Sequence, residues 1–307
     1  MEPIALASTR CAICNTEGNA TEVYAARFAS DTFSPGKFSA RRLPDRVHYR
    51  IVRCNTCGLV RSDPVADSAI MARLYSQSTF DYSDEAMNLR LTYGRYLAKL
   101  ASYDVQKLAL LEIGCGNGFF LEEAMGQGYA MVRGVEPSAD AVARAQPNIR
   151  SLIVCDVMRP GLFQPEEFDV VCMFQVFDHI PDPSALLAEC HRILQPGGLV
   201  LCINHNIEAM SARIFKQSSP IIDIEHTYLF SPRTMSQMFL TRGFRVMRVG
   251  SVYNMCTAYY LARLMPLPSL LKRAVMMALA KSYIGRISLC LPLGNLYLIA
   301  QKPHRGV

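Results

Sequence analysis

Tryptophan is absent from this 307-residue chain, charged residues make up only 19% of it, and no acidic residue follows Glu225. Half of the residues are hydrophobic, which excludes a disordered or collagen-like chain and predicts a sizeable core. The net charge of +6 is far below that of a dedicated nucleic-acid binder, and a base-stacking residue type is missing altogether. The opening residues MEPIALASTR lack the basic-then-apolar pattern of a secretory leader, so a cytoplasmic location is expected. No apolar run reaches the roughly 20 residues of a spanning helix; the stretch 287–301 is broken by Pro292, Gly294 and Asn295. Internal repeats and low-complexity tracts are also absent.

The charge that is present is unevenly spread. Eleven of the cations and none of the acids lie beyond Glu225, which leaves the first 225 residues at −5. The C-terminal part is therefore expected to face something anionic, such as a phosphorylated small molecule, a lipid surface or RNA, or else to be a solvated face.

Eleven cysteines are an odd number in what should be a reducing compartment, so a disulfide framework is not expected. Cys11 and Cys14 form one CxxC and Cys54 and Cys57 a second, which runs CNTCGL with Gly58 where a tight turn needs a positive φ. Two such loops complete a tetrahedral shell of four thiolates, the geometry that selects zinc, with no open position and hence a structural role. The 39 residues between the knuckles must hold an inserted hairpin or loop. Cysteines 115, 155, 172, 190, 202, 256 and 290 lie in apolar runs and read as small core residues.

From about residue 84, Met87, Leu91, Leu97 and Leu100 recur at mostly helical spacing. The period then changes. LALLEI at 108–113, AMVRGVE, SLIVCD, FDVVCMF and LVLCIN are short apolar runs separated by helical text, which predicts a doubly wound, mostly parallel sheet covered on both faces. A helix with a Ser231-Pro232 start and a Gly243 stop, the strand FRVMRVG and a last strand NLYLIAQKP follow. The expected organisation is a zinc-binding module at 1–80 and an α/β domain at 81–307 with an apolar, basic helical insertion at 255–285, broken by Pro266 and Pro268. Its cations Lys272, Arg273, Lys281 and Arg286 share no helical stripe, so membrane-surface contact is not predicted; a lid or an oligomer contact fits equally.

In LEIGCGNG, Glu112 ends a strand and Gly114, Gly116 and Gly118 follow at every second position, with Cys115 and Asn117 between. Such glycines let backbone approach a ligand. A dinucleotide fingerprint would place its third glycine at position 119, which is Phe119, so the ligand lacks a pyrophosphate. Glu136, followed by Pro137, ends the second strand, where a carboxylate takes both ribose hydroxyls. Asp156 is placed to accept from an adenine amino group while Val157 packs on the ring, and Phe174 and Gln175 stand at the mouth of the fourth strand.

With these motifs in order, the chain resembles the class I S-adenosylmethionine-dependent methyltransferases over about residues 80–302. The resemblance implies a seven-stranded sheet whose last strand runs antiparallel. It also implies that Gly114, Gly116 and Gly118 line the methionine moiety, Glu136 the ribose, Asp156 the adenine, and Phe174 and Gln175 the sulfonium. The four-cysteine module before this domain is similar to small-molecule methyltransferases of sugar and polysaccharide biosynthesis. The members that methylate a sugar carbon usually carry a further C-terminal domain for which this chain is too short, so either O-methylation of a hydroxylated, anionic small molecule such as a nucleotide sugar or a shorter variant of those enzymes is expected. An RNA methyltransferase and a non-catalytic binding protein of the same fold are the alternatives; DNA is not an expected partner.

Methyl transfer to a hydroxyl needs alignment and a base. Three histidines stand where the acceptor is expected: His179 after Asp178, His205 after the fifth strand, and His226 beside Asp223 and Glu225. His191 lies inside a helix and reads as structural, Tyr228 is a further polar candidate, and Tyr75, Tyr82 and Tyr93 either cover the cofactor or join the core.

Overall fold

The computed structural model describes residues 5–28, 46–77, 86–265 and 267–306. Tyr82, the Tyr75 side chain and the expected boundary at residue 80 lie outside them.

Seven strands form the central sheet, in the order Arg245–Ser251, Asn295–Gln301, Leu194–His205, Phe168–Phe174, Ala109–Ile113, Met131–Val135 and Ile153–Val154. Only Asn295–Gln301 runs antiparallel to its neighbours. The order reverses between Ala109–Ile113 and Phe168–Phe174, and in such sheets ligands bind beyond the carboxyl ends of the strands at that point. Alternate residues face opposite cores, as a sheet covered on both sides requires. Leu110, Cys172, Leu201 and Ile299 belong to one apolar cluster and Leu111, Met173, Val200 and Leu298 to the other. The Ser231-Pro232 start is a capping box, with the Ser231 side chain accepting from Thr234 N and Thr234 reciprocating.

The cysteine module contributes three strands, Ala20–Tyr24, Ile51–Cys54 and Val60–Ser62, to a four-stranded sheet. The fourth strand is Tyr228–Leu229 from the methyltransferase-like domain, antiparallel to Val60 and Arg61. Cys11, Cys54 and Leu59 also pack in the same apolar cluster as the central sheet, so the module and the domain share a sheet and a core.

Two expectations are corrected. Cys155 and Cys290 are exposed rather than core residues: Cys155 follows the two-residue strand Ile153–Val154 and Cys290 sits on the strand Ser288–Leu291, which faces solvent. The insertion is not wholly helical. Residues 255–257 belong to the strand Asn254–Thr257, which pairs antiparallel with Ser288–Leu291 just beyond the insertion, and the helices Ala258–Leu264 and Ser269–Ala280 lie between the two strands.

Candidate active site

A cleft of about 790 Å³ opens at the carboxyl ends of the central strands, near the upper end of the roughly 300–1,000 Å³ span of ligand sites. One end is built by the glycine loop. Gly114 and Gly118 have φ of +73° and +76°, and a side chain at Gly114 would meet Val176. Glu136 is 3% exposed and is fixed by two backbone donors, Gly116 N to Oε2 at 2.9 Å and Ser138 N to Oε1 at 2.8 Å. Burial pushes its pKa up against the pull of those two N–H groups. Burial, and then the charge of Glu136, push the neighbouring Glu112 well above the ordinary carboxylate range.

Of the residues expected around the cofactor, Glu112, Gly114, Cys115, Glu136, Pro137, Val157, Phe174 and Gln175 line the cleft. Gly116, Asn117 and Gly118 stand behind it, shaping the loop and orienting Glu136. Asp156 is not among the lining residues; its carboxylate accepts from Val157 N and pairs with Arg159 at 2.9 Å, both of which line the cleft. Phe174 stacks on Tyr93 with ring centroids 4.2 Å apart, so this tyrosine belongs to both the core and the cleft wall. Gln175 holds φ +57°, a left-handed conformation costly for a non-glycine residue and typical of functional turns. Glu112 Oε2 and Gln175 Oε1 are buried without a partner. A carboxylate and an amide oxygen left unpaired in one wall fit the ammonium of an amino-acid ligand, and the fixed Glu136 carboxylate fits a ribose.

The other end is a cluster of histidines around Asp178. Asp178 is 1% exposed, and its Oδ2 accepts from His205 Nδ1 at 2.7 Å. His179 Nε2 lies 3.6 Å from Asp178 Oδ1, and the His226 ring packs edge-on against His179 and His205 with centroids 4.8 and 4.6 Å apart. Burial alone would raise the Asp178 pKa, but the His205 hydrogen bond and the charges of the three imidazoles hold it well below the usual carboxylate range. Burial pushes His179 below its ordinary value and, together with the neighbouring His205 and His179, pushes His226 far below. Burial thus disfavours the charged forms of His179 and His226, while the Asp178 carboxylate favours them.

All three expected histidines thus come together, by different routes. His179 follows the strand Phe168–Phe174 and His205 ends the strand Leu194–His205. His226 arrives on a loop pinned at both sides: Thr227 N and Tyr228 N donate to Asp178 O at 3.0 and 3.1 Å, and Ser62 Oγ donates to His226 O at 2.8 Å. Tyr228 instead donates to Arg10 O and Pro181 O from within the shared sheet. His191 packs on Phe244, as a structural residue. Asn254 and, in the insertion, Met255, Tyr260 and Leu261, with Phe215 and Ile221 of an earlier segment, line the cleft; the expectation of a lid or an oligomer contact covers the insertion, but sequence reasoning singled out none of these residues, since nothing local in those stretches marks them.

At the four cysteines, the Sγ atoms of Cys11 and Cys57 are 3.3 Å apart and those of Cys14 and Cys54 3.5 Å, and all four lie within 4.8 Å of one another as free thiols. Four Sγ atoms on a tetrahedron with bonds of about 2.3 Å stand about 3.8 Å apart, so the donor set and spacing fit one zinc ion. Gly58 has the expected positive φ, +81°, and in the first knuckle Asn15, at φ +56°, turns the chain.

A methyltransferase-domain family matches residues 86–249 of this chain, more than half of its length, and the chain belongs to that family. It is an S-adenosylmethionine-dependent methyltransferase. It is similar to ubiquinone biosynthesis O-methyltransferase of Pseudomonas aeruginosa (strain LESB58), 30% identical over 165 residues that span 49% of this chain and 71% of that one. The enzyme of the same name from Pseudomonas putida (strain GB-1) is 29% identical over 198 residues, 60% of this chain and 83% of its own. Among solved structures, the complex between the Haloferax volcanii Trm112 methyltransferase activator and a methyltransferase matches with a TM-score of 0.51 at 21% identity, covering 78% of this chain and all of that chain; this likeness is one of fold. No helix among the described residues is long and apolar enough to cross a membrane.

Proposed function

We propose that this enzyme methylates a hydroxyl oxygen of a small molecule with a sizeable apolar body, using His205 as the general base. The observation that carries the reading is the Asp178–His205 pair at the acceptor end of a cleft whose remaining walls are largely apolar. A buried carboxylate that accepts from Nδ1–H fixes the tautomer and leaves Nε2 as the basic nitrogen. When bound, S-adenosylmethionine supplies an electrophilic methyl group on sulfur. Glu136 would hold its ribose, the Gly114–Gly118 loop with Glu112 and Gln175 would hold its amino-acid end, Phe174 and Tyr93 would keep water from that end, and His205 would take the proton of the acceptor hydroxyl.

The acceptor chemistry departs from the sugar expected above. A nucleotide sugar brings phosphate charge, yet Arg159 is the one Lys or Arg among the described lining residues, and it is already paired with Asp156. Asp182, Glu189, Asp223 and Glu225 line the same cleft. Leu261, Ile221 and Phe215 suit a hydrocarbon or aromatic body instead. The similarity to O-methyltransferases supports oxygen as the acceptor atom. We further assign structural zinc to Cys11, Cys14, Cys54 and Cys57; the free thiols throughout the chain suit a reducing, cytoplasmic setting.

The test is formation of S-adenosylhomocysteine with a panel of apolar phenols and alkyl-chain alcohols beside nucleotide sugars and RNA. Turnover with the apolar hydroxyl compounds, lost in His205→Ala, is expected. Turnover with nucleotide sugars alone would overturn the acceptor assignment.

A further inference from the structure

Asp178 Oδ1 and His226 Nδ1 are both buried without a hydrogen-bond partner, although they belong to the same cluster. One ligand atom from each of Asp178, His179 and His226 lies within 4.8 Å of the others. Two buried polar atoms without a partner in one cluster cost free energy unless something satisfies them, and a cation between them would do so. We propose that Asp178, His179 and His226 bind a divalent transition-metal ion at the acceptor end of the cleft, separate from the four-cysteine site.

The donor set specifies the ion's class. Two imidazole nitrogens and one carboxylate oxygen suit Mn²⁺, Fe²⁺ or Zn²⁺, whereas Mg²⁺ and Ca²⁺ favour all-oxygen shells. The 3.6 Å between His179 Nε2 and Asp178 Oδ1 is too long for a hydrogen bond and close to the ~3.4 Å edge of a tetrahedron with bonds of about 2.1 Å. The groups behind the ligands are also in place. Asp178 uses its second oxygen to accept from His205, and the backbone of His226 is pinned by Ser62 Oγ; such outer contacts fix the orientation of metal ligands. His179 and His226 line the cleft, so three protein ligands leave coordination positions open towards an acceptor. An ion there acidifies a hydroxyl that reaches it, and His205, on the other oxygen of Asp178, receives the proton.

The inference rests on the reading of this end of the cleft as the acceptor site, but its test does not use methyl transfer. Zinc-loaded protein is titrated with Mn²⁺, which does not displace zinc from thiolates, and free Mn²⁺ is followed by electron paramagnetic resonance. Zn²⁺ is titrated in parallel by equilibrium dialysis. The expected result is about one further ion per chain, with affinity lost or weakened by much more than tenfold in His226→Ala and in Asp178→Asn, which remove ligands, and weakened about tenfold in His205→Ala, which removes only an outer contact. Calorimetric binding of S-adenosylhomocysteine by each variant reports that it is folded, and His179→Gln replaces any variant that fails this check. Protein that binds S-adenosylhomocysteine but takes up neither Mn²⁺ nor a second Zn²⁺ overturns the proposal, as does uptake that these substitutions leave unchanged. Uptake without turnover of any hydroxyl acceptor would leave the metal site standing and refute the acceptor reading.

Discussion

Ser62 of the cysteine module donates its Oγ proton to the backbone oxygen of His226 in the acceptor cluster at 2.8 Å. Its backbone N–H donates to the next residue, Thr227, at 2.9 Å. Val60 and Arg61, just before it, pair with the strand Tyr228–Leu229. The loop that delivers His226 is thus held on one side by a module whose own geometry is set by four cysteines, and on the other by the backbone of Asp178.

Cys54→Ser should therefore separate the two ends of the cleft. Zinc content is expected to fall from about one equivalent to a small fraction of that, since a structural site rarely survives loss of one thiolate, and the melting temperature should drop because Cys54 packs in the main apolar cluster. Below that temperature, turnover should fall while S-adenosylhomocysteine affinity stays within about threefold, a factor worth only ~0.7 kcal/mol. Metal analysis, a thermal melt and calorimetry on one preparation check this; equal loss of cofactor affinity would refute a role confined to the acceptor end.

His205→Ala removes the base and leaves the glycine loop untouched. General-base catalysis contributes about 10²–10⁴-fold, so a loss of that order in kcat is expected with cofactor affinity unchanged. The comparison with His191→Ala, whose ring packs on Phe244 away from the cleft, is informative: stability should fall there, but kcat measured on folded protein should not.

At Gly114 a single methyl group has two effects. The residue holds φ +73° and faces the Val176 side chain. The left-handed conformation alone costs an L-residue about 1–2 kcal/mol, and relief of the contact would shift the turn beneath the cofactor. Gly114→Ala should lower stability by at least that amount in denaturant titrations and abolish detectable S-adenosylhomocysteine binding, whereas Gly128→Ala, at an open turn with nothing near its added carbon, should cost only the backbone term.

How legible each part was depended on how local its cause is. Glu112, the glycine loop and Glu136 sit on consecutive strand ends, so the periodicity that predicts the sheet also places them. His179 and His205 follow the same rule, because strands Phe168–Phe174 and Leu194–His205 are adjacent and parallel. His226 obeys no such rule. Its place depends on strand pairing with residues more than 160 positions away, and no spacing within PIIDIEHTYLF encodes that. The ribbon Asn254–Thr257 with Ser288–Leu291 was hidden for a related reason: each half is four residues long and gains its hydrogen bonds only from the other, while the text between them is helical.

The two buried carboxyl groups at the cofactor end give the last prediction, and its sign follows from their environment. Burial raises the pKa of Glu136, and burial with the charge of Glu136 raises that of Glu112 further. Both are thus proton-loaded at higher pH than free carboxyl groups, whose ordinary value is near 4.3. The ribose and the ammonium are best held by carboxylates, so proton uptake competes with the cofactor. Affinity for S-adenosylhomocysteine should be flat in the alkaline range and fall as the pH drops through the raised pKa values, with a slope of at most one decade per pH unit for each group that must ionise. Glu136→Gln keeps the shape but cannot ionise. Its affinity should be weaker than wild type at pH 8 by about 1.5–3 kcal/mol, the worth of a hydrogen bond to a charged group, and should show a shallower pH dependence. Calorimetry from pH 5.5 to 8.5 on both proteins measures this; parallel curves would mean that Glu136 does not meet the ribose as a carboxylate.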